Sequence, residues 1–218
     1  MRLMPKIAIS GPIASGKTTV LTAIVGELKC EREAFARPLK EFAEAAILDT
    51  VMRDTVVARL LQRLFAQRAS LGIRACQIYE SLRHECSEEL EAQREGKKAR
   101  VFLQKLGSGF RELDVDVWAK DIIARTSDGR SYVVDDLRYE NEARILRDNG
   151  WRLVRCDVSE KVRRRRIEKL YGEYDDSILR HPSEIGLDDW DDWDYVINTG
   201  VPLKDQSLEV SKMMEALF

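Results

Sequence analysis

Apolar and polar positions along the chain follow two rhythms. Lys6 to Ser10 is short, apolar and rich in isoleucine, and it breaks at a glycine-containing loop. Apolar residues at helical spacing follow from Thr18 to Leu28, which predicts strand, loop and helix. Residues 31–37 read as a short second strand leading to Pro38. From Leu39 to about Lys105 the pattern is helical. Val56, Val57, Leu60, Leu61, Leu64 and Phe65 form one apolar stripe, and Ile73, Cys76, Gln77, Glu80 and Leu82 open another segment. Gly72 and Gly96 read as breaks between helices. Charged side chains such as Arg59, Arg63 and Arg68 interleave with the stripe and read as a solvated face.

The strand rhythm then returns. Tyr132 to Asp136 is a strand after the Asp128-Gly129 turn, and Arg138 to Asn149 is a helix stopped by Gly150. Trp151 to Asp157 is a further strand, Ser159 sits at the N-cap of the next helix, and Tyr195-Val-Ile is the last strand before a helix over 205–217. Strands alternating with helices predict a parallel sheet with helices on both faces.

Composition narrows the class. The 218 residues carry 36 Lys and Arg against 38 Asp and Glu, a net charge of −2, which speaks against a dedicated nucleic-acid binder. No apolar run approaches the ~20 residues of a membrane span. The four cysteines (Cys30, Cys76, Cys86, Cys156) form no C-x-x-C pair and read as free thiols of a reducing cytosol. Cys76, His84 and Cys86 lack a nearby fourth ligand for a structural zinc, because the only other histidine is His181.

The chemistry concentrates in three places. Gly11-Pro-Ile-Ala-Ser-Gly-Lys-Thr matches the Walker A pattern G-x-x-x-x-G-K-T, with a strand before it and a helix after it. Gly11 and Gly16 let the backbone turn, so that N–H groups of the loop, through Ala14 and Ser15, face phosphate oxygens at the positive end of the helix. Lys17 is placed to reach the β- and γ-phosphates, Thr18 to ligate Mg²⁺ and Thr19 to reach the α-phosphate. The loop therefore predicts nucleoside triphosphate binding. Val133-Val-Asp-Asp supplies a carboxylate at the end of a strand. Asp136 is preferred over Asp135 as the metal-side group, although alternation does not separate them. Lys161-Val-Arg-Arg-Arg-Arg-Ile lies on the helix after the third clear strand. Four consecutive arginines span about 300° of a helix, so two at most reach one phosphate site.

Further segments carry a family likeness. Phe35-Ala-Arg-Pro-Leu-Lys-Glu, Phe102-Leu-Gln-Lys-Leu-Gly-Ser-Gly-Phe-Arg-Glu, Asp135-Asp-Leu-Arg-Tyr-Glu-Asn-Glu-Ala, His181-Pro-Ser-Glu and Asp194-Tyr-Val-Ile-Asn occur in that order after the loop. As an ordered set they resemble the phage-type deoxynucleoside monophosphate kinases of the P-loop kinase superfamily, over roughly residues 5–40 and 100–205. The resemblance implies a three-layer α/β P-loop fold in one domain over 1–218. It also implies a helical substrate-binding insertion over 39–105 and a lid over 159–193. The implied reaction moves the γ-phosphate of ATP, with Mg²⁺, to a deoxynucleoside 5′-monophosphate. Lys17, Asp136, Arg138, Arg163 and Arg166 are the implied catalytic set, with Arg164 beside the nucleotide. Arg37, Lys40, Arg111, Asp116, Asn141 and Glu142 are the candidates for holding the acceptor. Glu142 could equally pair with Arg138 at i, i+4.

Other acceptors fit the same fold. Ser183-Glu-Ile-Gly-Leu-Asp resembles a stretch of animal-type phosphomevalonate kinases, and a hydroxymethylated base in DNA is a further acceptor class. A hydroxyl acceptor needs a base, for which Asp116 or Glu112 would have to serve. A non-catalytic reading makes the helical region an interaction module, and the stripe over 56–65 is either core or a homodimer face.

Overall fold

The computed structural model describes residues 4–66, 68–172, 179 and 182–218, apart from the side chain of Ser183. In chain order the elements are β1 (Lys6–Ser10), α1 (Lys17–Leu28), β2 (Glu31–Glu33), α2 (Arg37–Ala46) and α3 (Thr50–Phe65). Then come α4 (Ala69–Glu85), α5 (Ser87–Ala92), a 3₁₀ turn (Gln93–Glu95), α6 (Arg100–Leu113) and α7 (Val117–Arg125). The chain closes with β3 (Tyr132–Val134), α8 (Glu140–Asp148), β4 (Arg152–Asp157), α9 (Glu160–Tyr171), α10 (Pro182–Ile185), β5 (Tyr195–Asn198) and α11 (Leu203–Leu217). Two compact units emerge: Met1–Ala34 with Ile123–Phe218, and Phe35–Ile122.

The first unit holds a five-stranded sheet in the order β2-β3-β1-β4-β5, every pair parallel. The central strand β1 pairs Ile7 with Val133 on one side and Ile9 with Val154 on the other. Side chains alternate along a strand, so Ile7, Ile9, Val133, Val154, Cys156 and Ile197 share one face. They pack there with Val20, Leu21 and Ile24 of α1 and Val210, Met213 and Met214 of α11. Ala8 and Leu153, paired in register and fully buried, take the opposite face, on the side where α8 packs against β4. Both faces of the sheet are thus covered, which gives the three-layer α/β fold expected of this pattern. No helix among the described residues is long and apolar enough to cross a membrane.

The second unit is helical and wider than the 39–105 stretch expected, reaching from Phe35 to Ile122. Its centre is aromatic: Phe110 stacks on Trp118 at 5.7 Å and meets Phe42 and Phe65 edge-on at 5.4 and 5.6 Å. Val57, Leu60, Leu61 and Phe65 are buried in this core, so these four positions of the stripe are interior, while Val56 and Leu64 are half-buried. The expected break at Gly72 is a helix interior; α4 starts at Ala69, and the chain turns just before it. The buried side of α4 is Ala75, Tyr79 and Leu82, while Ile73 is exposed, so the apolar phase read from Ile73 is shifted. Gly96 does end a helical turn, at φ 82°.

The acidic stretch assigned to a lid divides. Residues 173–178, 180 and 181, and with them His181, lie outside the described residues. The later part is strapped to α8 and β4. Arg155 bonds Asp188 at 2.7 Å and Arg147 bonds Asp192 at 3.0 Å. Asp194 accepts from Arg147, Arg152 and the Leu153 N–H at 3.2, 3.1 and 2.8 Å. Arg144 lies over Trp190 and Arg155 over Trp193. Arginines of α8 and β4 thus hold residues 188–194, the later end of the stretch expected as a lid.

Arg63 is no free surface charge. It donates to Glu41 at 3.3 Å and to the buried carboxylate of Asp121 at 2.8 Å, within the helical unit. Burial pushes the Asp121 carboxyl up to about 6, with Arg63 opposing it, from an ordinary value of 3.8. A folded-state value above the unfolded one means stability that is present below pH 4 and lost as pH rises through about 6. Urea unfolding of wild type and Asp121→Asn should show the gap moving in the variant's favour between pH 4 and 7. The upper bound is roughly 3 kcal/mol, from about two pH units at ~1.4 kcal/mol each. A pH-independent gap would refute this.

Candidate nucleotide site

The loop between β1 and α1 is built on left-handed backbone. Gly11 has φ 145°, Ala14 59° and Gly16 88°. At Gly11 space as well as conformation is limiting: a Cβ there would lie 2.6 Å from Ser15 Oγ and 2.8 Å from the Cys156 carbonyl oxygen. Such turns aim successive N–H groups into one concavity, at the amino end of α1.

Two neighbours from the sheet's C-terminal edge hold the loop. Thr199, just after β5, has its hydroxyl 2.6 Å from the Ser15 carbonyl and 2.9 Å from that of Asp157. Its single proton serves one at a time, while its carbonyl accepts from Arg166 at 2.6 Å. Arg166 also donates to the Ala14 carbonyl at 3.3 Å. Arg166, expected to act on the migrating phosphate, has its guanidinium engaged here by loop and strand-end carbonyls, a contact that braces the loop. Arg164 bonds Glu160 one turn back at 2.9 Å, while Arg163 is half-buried with its Nε receiving no acceptor among the described groups. Arg165 is exposed, in keeping with four arginines spread around one helix.

Lys17 Nζ donates to the carbonyls of Gly11 and Pro12 at 2.6 and 2.8 Å. Burial lowers its pKa, Arg138 lowers it further, and Glu184, Cys156 and Asp135 oppose the shift. Glu184 and Asp135 are thus the carboxylates whose charge acts on Lys17, while that of Asp136 acts on Arg125. Asp135 is nearly buried and is held by Arg32 at 3.1 Å across neighbouring strands. Thr18 stands exposed in the first turn of α1, and Thr19 is half-buried beside it. A hydroxyl and a carboxylate suit Mg²⁺, which takes few protein oxygens and completes its shell with phosphates and water. Among the described residues no cluster of three or more His, Cys, Asp or Glu could cage a metal by itself.

Glu142, expected among the groups that hold the acceptor, is buried, and its Oε2 accepts from the N–H groups of Arg138 and Tyr139 at 3.1 and 3.2 Å. It caps α8 and fixes the chain that presents Arg138. Asn141 lies half-buried in the first turn of α8, in the sheet unit. The other acceptor candidates lie in the helical unit. There Arg37 pairs with Glu41 at 3.1 Å, Lys40 is exposed, and Asp116 is 3.8 Å from Lys120. Arg111 lies on α6, against which α2 packs. The expected acceptor set is thus divided between two units. Sequence reasoning gave Thr199 and Glu184 no role. For Thr199 the available signal was its place directly after a parallel strand, where ligand-side loops begin.

No protein-family model and no curated protein sequence matches the chain. Among solved structures it is similar to a gluconokinase from Sinorhizobium meliloti 1021. That likeness has 16% identity and a TM-score of 0.53, over 100% of this chain and 95% of that one. It is also similar to an unliganded sugar kinase from Janibacter sp. HTCC2649, with 12% identity and a TM-score of 0.46, over 98% and 95%. The gluconokinase shares the fold: a central parallel sheet between helical layers, at this identity a likeness of architecture alone.

Replacing Thr199 by Val removes the hydroxyl under the loop. We expect a loss of roughly 1–2 kcal/mol in stability, as for other buried hydrogen bonds, with weaker binding of ATP. Chemical denaturation and calorimetric titration with ATP check both; unchanged ATP affinity would show that the loop is held without it.

Proposed function

We propose that the protein is an ATP-dependent phosphotransferase whose acceptor is a deoxynucleoside 5′-monophosphate. The observation that carries the phosphotransfer reading is the loop at 11–18: a complete Walker A segment between a buried parallel strand and a helix, with left-handed backbone at Gly11, Ala14 and Gly16. The acceptor class is supported by the ordered segments that resemble deoxynucleoside monophosphate kinases, and by cations on α2 and α6 (Arg37, Lys40 and Arg111).

An acceptor phosphate, with its second pKa near 6, is already nucleophilic at neutral pH. Catalysis then rests on positioning and charge neutralisation. Loop N–H groups receive the β-phosphate, and Lys17 exchanges the Gly11 and Pro12 carbonyls for phosphate oxygens, which are stronger, charged acceptors. Arg138 and Arg163 face the developing charge on the transferred group. Arg166 and Thr199 keep the loop in shape by holding its carbonyls. Thr18 and Asp135 would hold Mg²⁺, which would supply charge neutralisation to the phosphates. Arg37, Lys40 and Arg111 bind the acceptor phosphate.

ADP release should be stimulated by one or more deoxynucleoside monophosphates in a panel that also contains ribonucleotides, gluconate and other small hydroxy acids. Stimulation by a sugar acid alone would sink the acceptor assignment while leaving the phosphotransfer reading intact. Lys17→Met should reduce transfer at least ~10³-fold without unfolding the protein; surviving activity would refute the loop's role. Asp135→Asn should cut turnover by roughly 10²-fold and raise the Mg²⁺ needed for half-saturation, with a smaller effect from Asp136→Asn. The reverse order would restore Asp136 as the metal-side carboxylate.

A further inference from the structure

Glu184 belongs to the stretch His181-Pro-Ser-Glu, to which the mechanism above gives no role. It lies on α10, its side chain is 10% exposed, and one carboxylate oxygen accepts from Arg138 Nη1. The other oxygen, Oε2, is buried and receives no hydrogen bond from any described group. The backbone around the pair is fixed. Glu142 takes the Arg138 N–H, and Gly186 packs so closely that a Cβ there would lie 2.7 Å from the Arg138 carbonyl oxygen and 2.9 Å from that of Pro182. The geometry therefore joins α10 to the start of α8 through a charged pair. Arg138 and Glu184 are two of the charges that act on Lys17, with opposite sign.

An arginine on a flexible stem gains little for catalysis unless its fork is oriented before the phosphates arrive. We propose that Glu184 is a positioning residue, whose carboxylate fixes the Arg138 guanidinium beside the phosphate loop so that it meets the nucleotide's phosphates already oriented. The proposal rests on the phosphotransferase reading for its kinetic consequence, but its binding consequence needs no acceptor and no turnover.

The experiment is a double-mutant cycle of Glu184→Gln and Arg138→Met, with Glu184→Asp as the conservative variant. The readouts are kcat and KM for ATP, calorimetric binding of inorganic tripolyphosphate, and Tm. Glu184→Gln should lower kcat about 10- to 100-fold while KM for ATP rises less than about 5-fold, and Glu184→Asp should recover part of the loss. Tripolyphosphate should bind at least about 3-fold more weakly to Glu184→Gln, and that effect should vanish in the Arg138→Met background. Equal losses in both backgrounds, or a fall in Tm with kcat unchanged, would reduce Glu184 to a structural residue. Tighter tripolyphosphate binding by Glu184→Gln would make the carboxylate a competitor of phosphate and overturn the proposal. If wild type binds tripolyphosphate but phosphorylates no acceptor, the functional reading fails, and the binding cycle still decides on Glu184.

Discussion

The close approach of Gly11 to β4 is the constraint on which the nucleotide site depends. A side chain at that position would overlap Ser15 Oγ and the Cys156 carbonyl, so the chain leaving β1 turns directly against the neighbouring strand. That contact exists because β1 is central and pairs with β4 in register from Ile7 to Ser10. Parallel pairing in turn places the ends of β1, β3, β4 and β5 along one edge of the sheet. From that edge Thr199 and Arg166 of α9 reach the loop. The apolar faces on α1 and α11 secure the sheet, and the sheet supplies the geometry of the loop.

Positioning in this site is done largely by groups that would not touch phosphate themselves. Thr199 and Arg166 hold loop carbonyls, Glu142 caps the helix behind Arg138, and Arg32 holds Asp135. Each uses a charged or polar side chain to satisfy backbone or a partner that burial would otherwise leave costly. The same economy of charge operates away from the site, where four arginines tie residues 188–194 to α8 and β4. The nearly neutral total of 36 positive and 38 negative residues therefore conceals many short-range pairs, several of them between distant parts of the sequence.

Periodicity and local motifs settled most of the architecture. The five strands, the Walker A loop between β1 and α1, and the helical character of the middle third were all legible, because each depends on residues close in sequence. Helix boundaries around Gly72 were not. An interior glycine costs a helix only about 1 kcal/mol, which packing readily offsets, so its presence did not mark a break. The stripe over 56–65 was legible as apolar, but what it packs with was decided by Phe42, Tyr79, Phe102 and Phe110, aromatic residues 14 to 54 positions away that close the helical core.

Roles of single charged residues were where sequence and structure parted. The amino-acid order by itself determined a phosphate-binding loop with Lys17 and Thr18, since that chemistry needs fixed residue types at fixed spacing within eight positions. Only the tertiary structure paired Asp135 with Arg32 of the neighbouring strand, a contact that alternation along the chain cannot name. It also turned Arg166 into a brace for the loop and Glu142 into a helix cap, and it joined Arg138 to Glu184 across 46 residues. Those assignments rest on which groups meet across the fold, and charge pairing over such separations leaves no periodic trace in the chain.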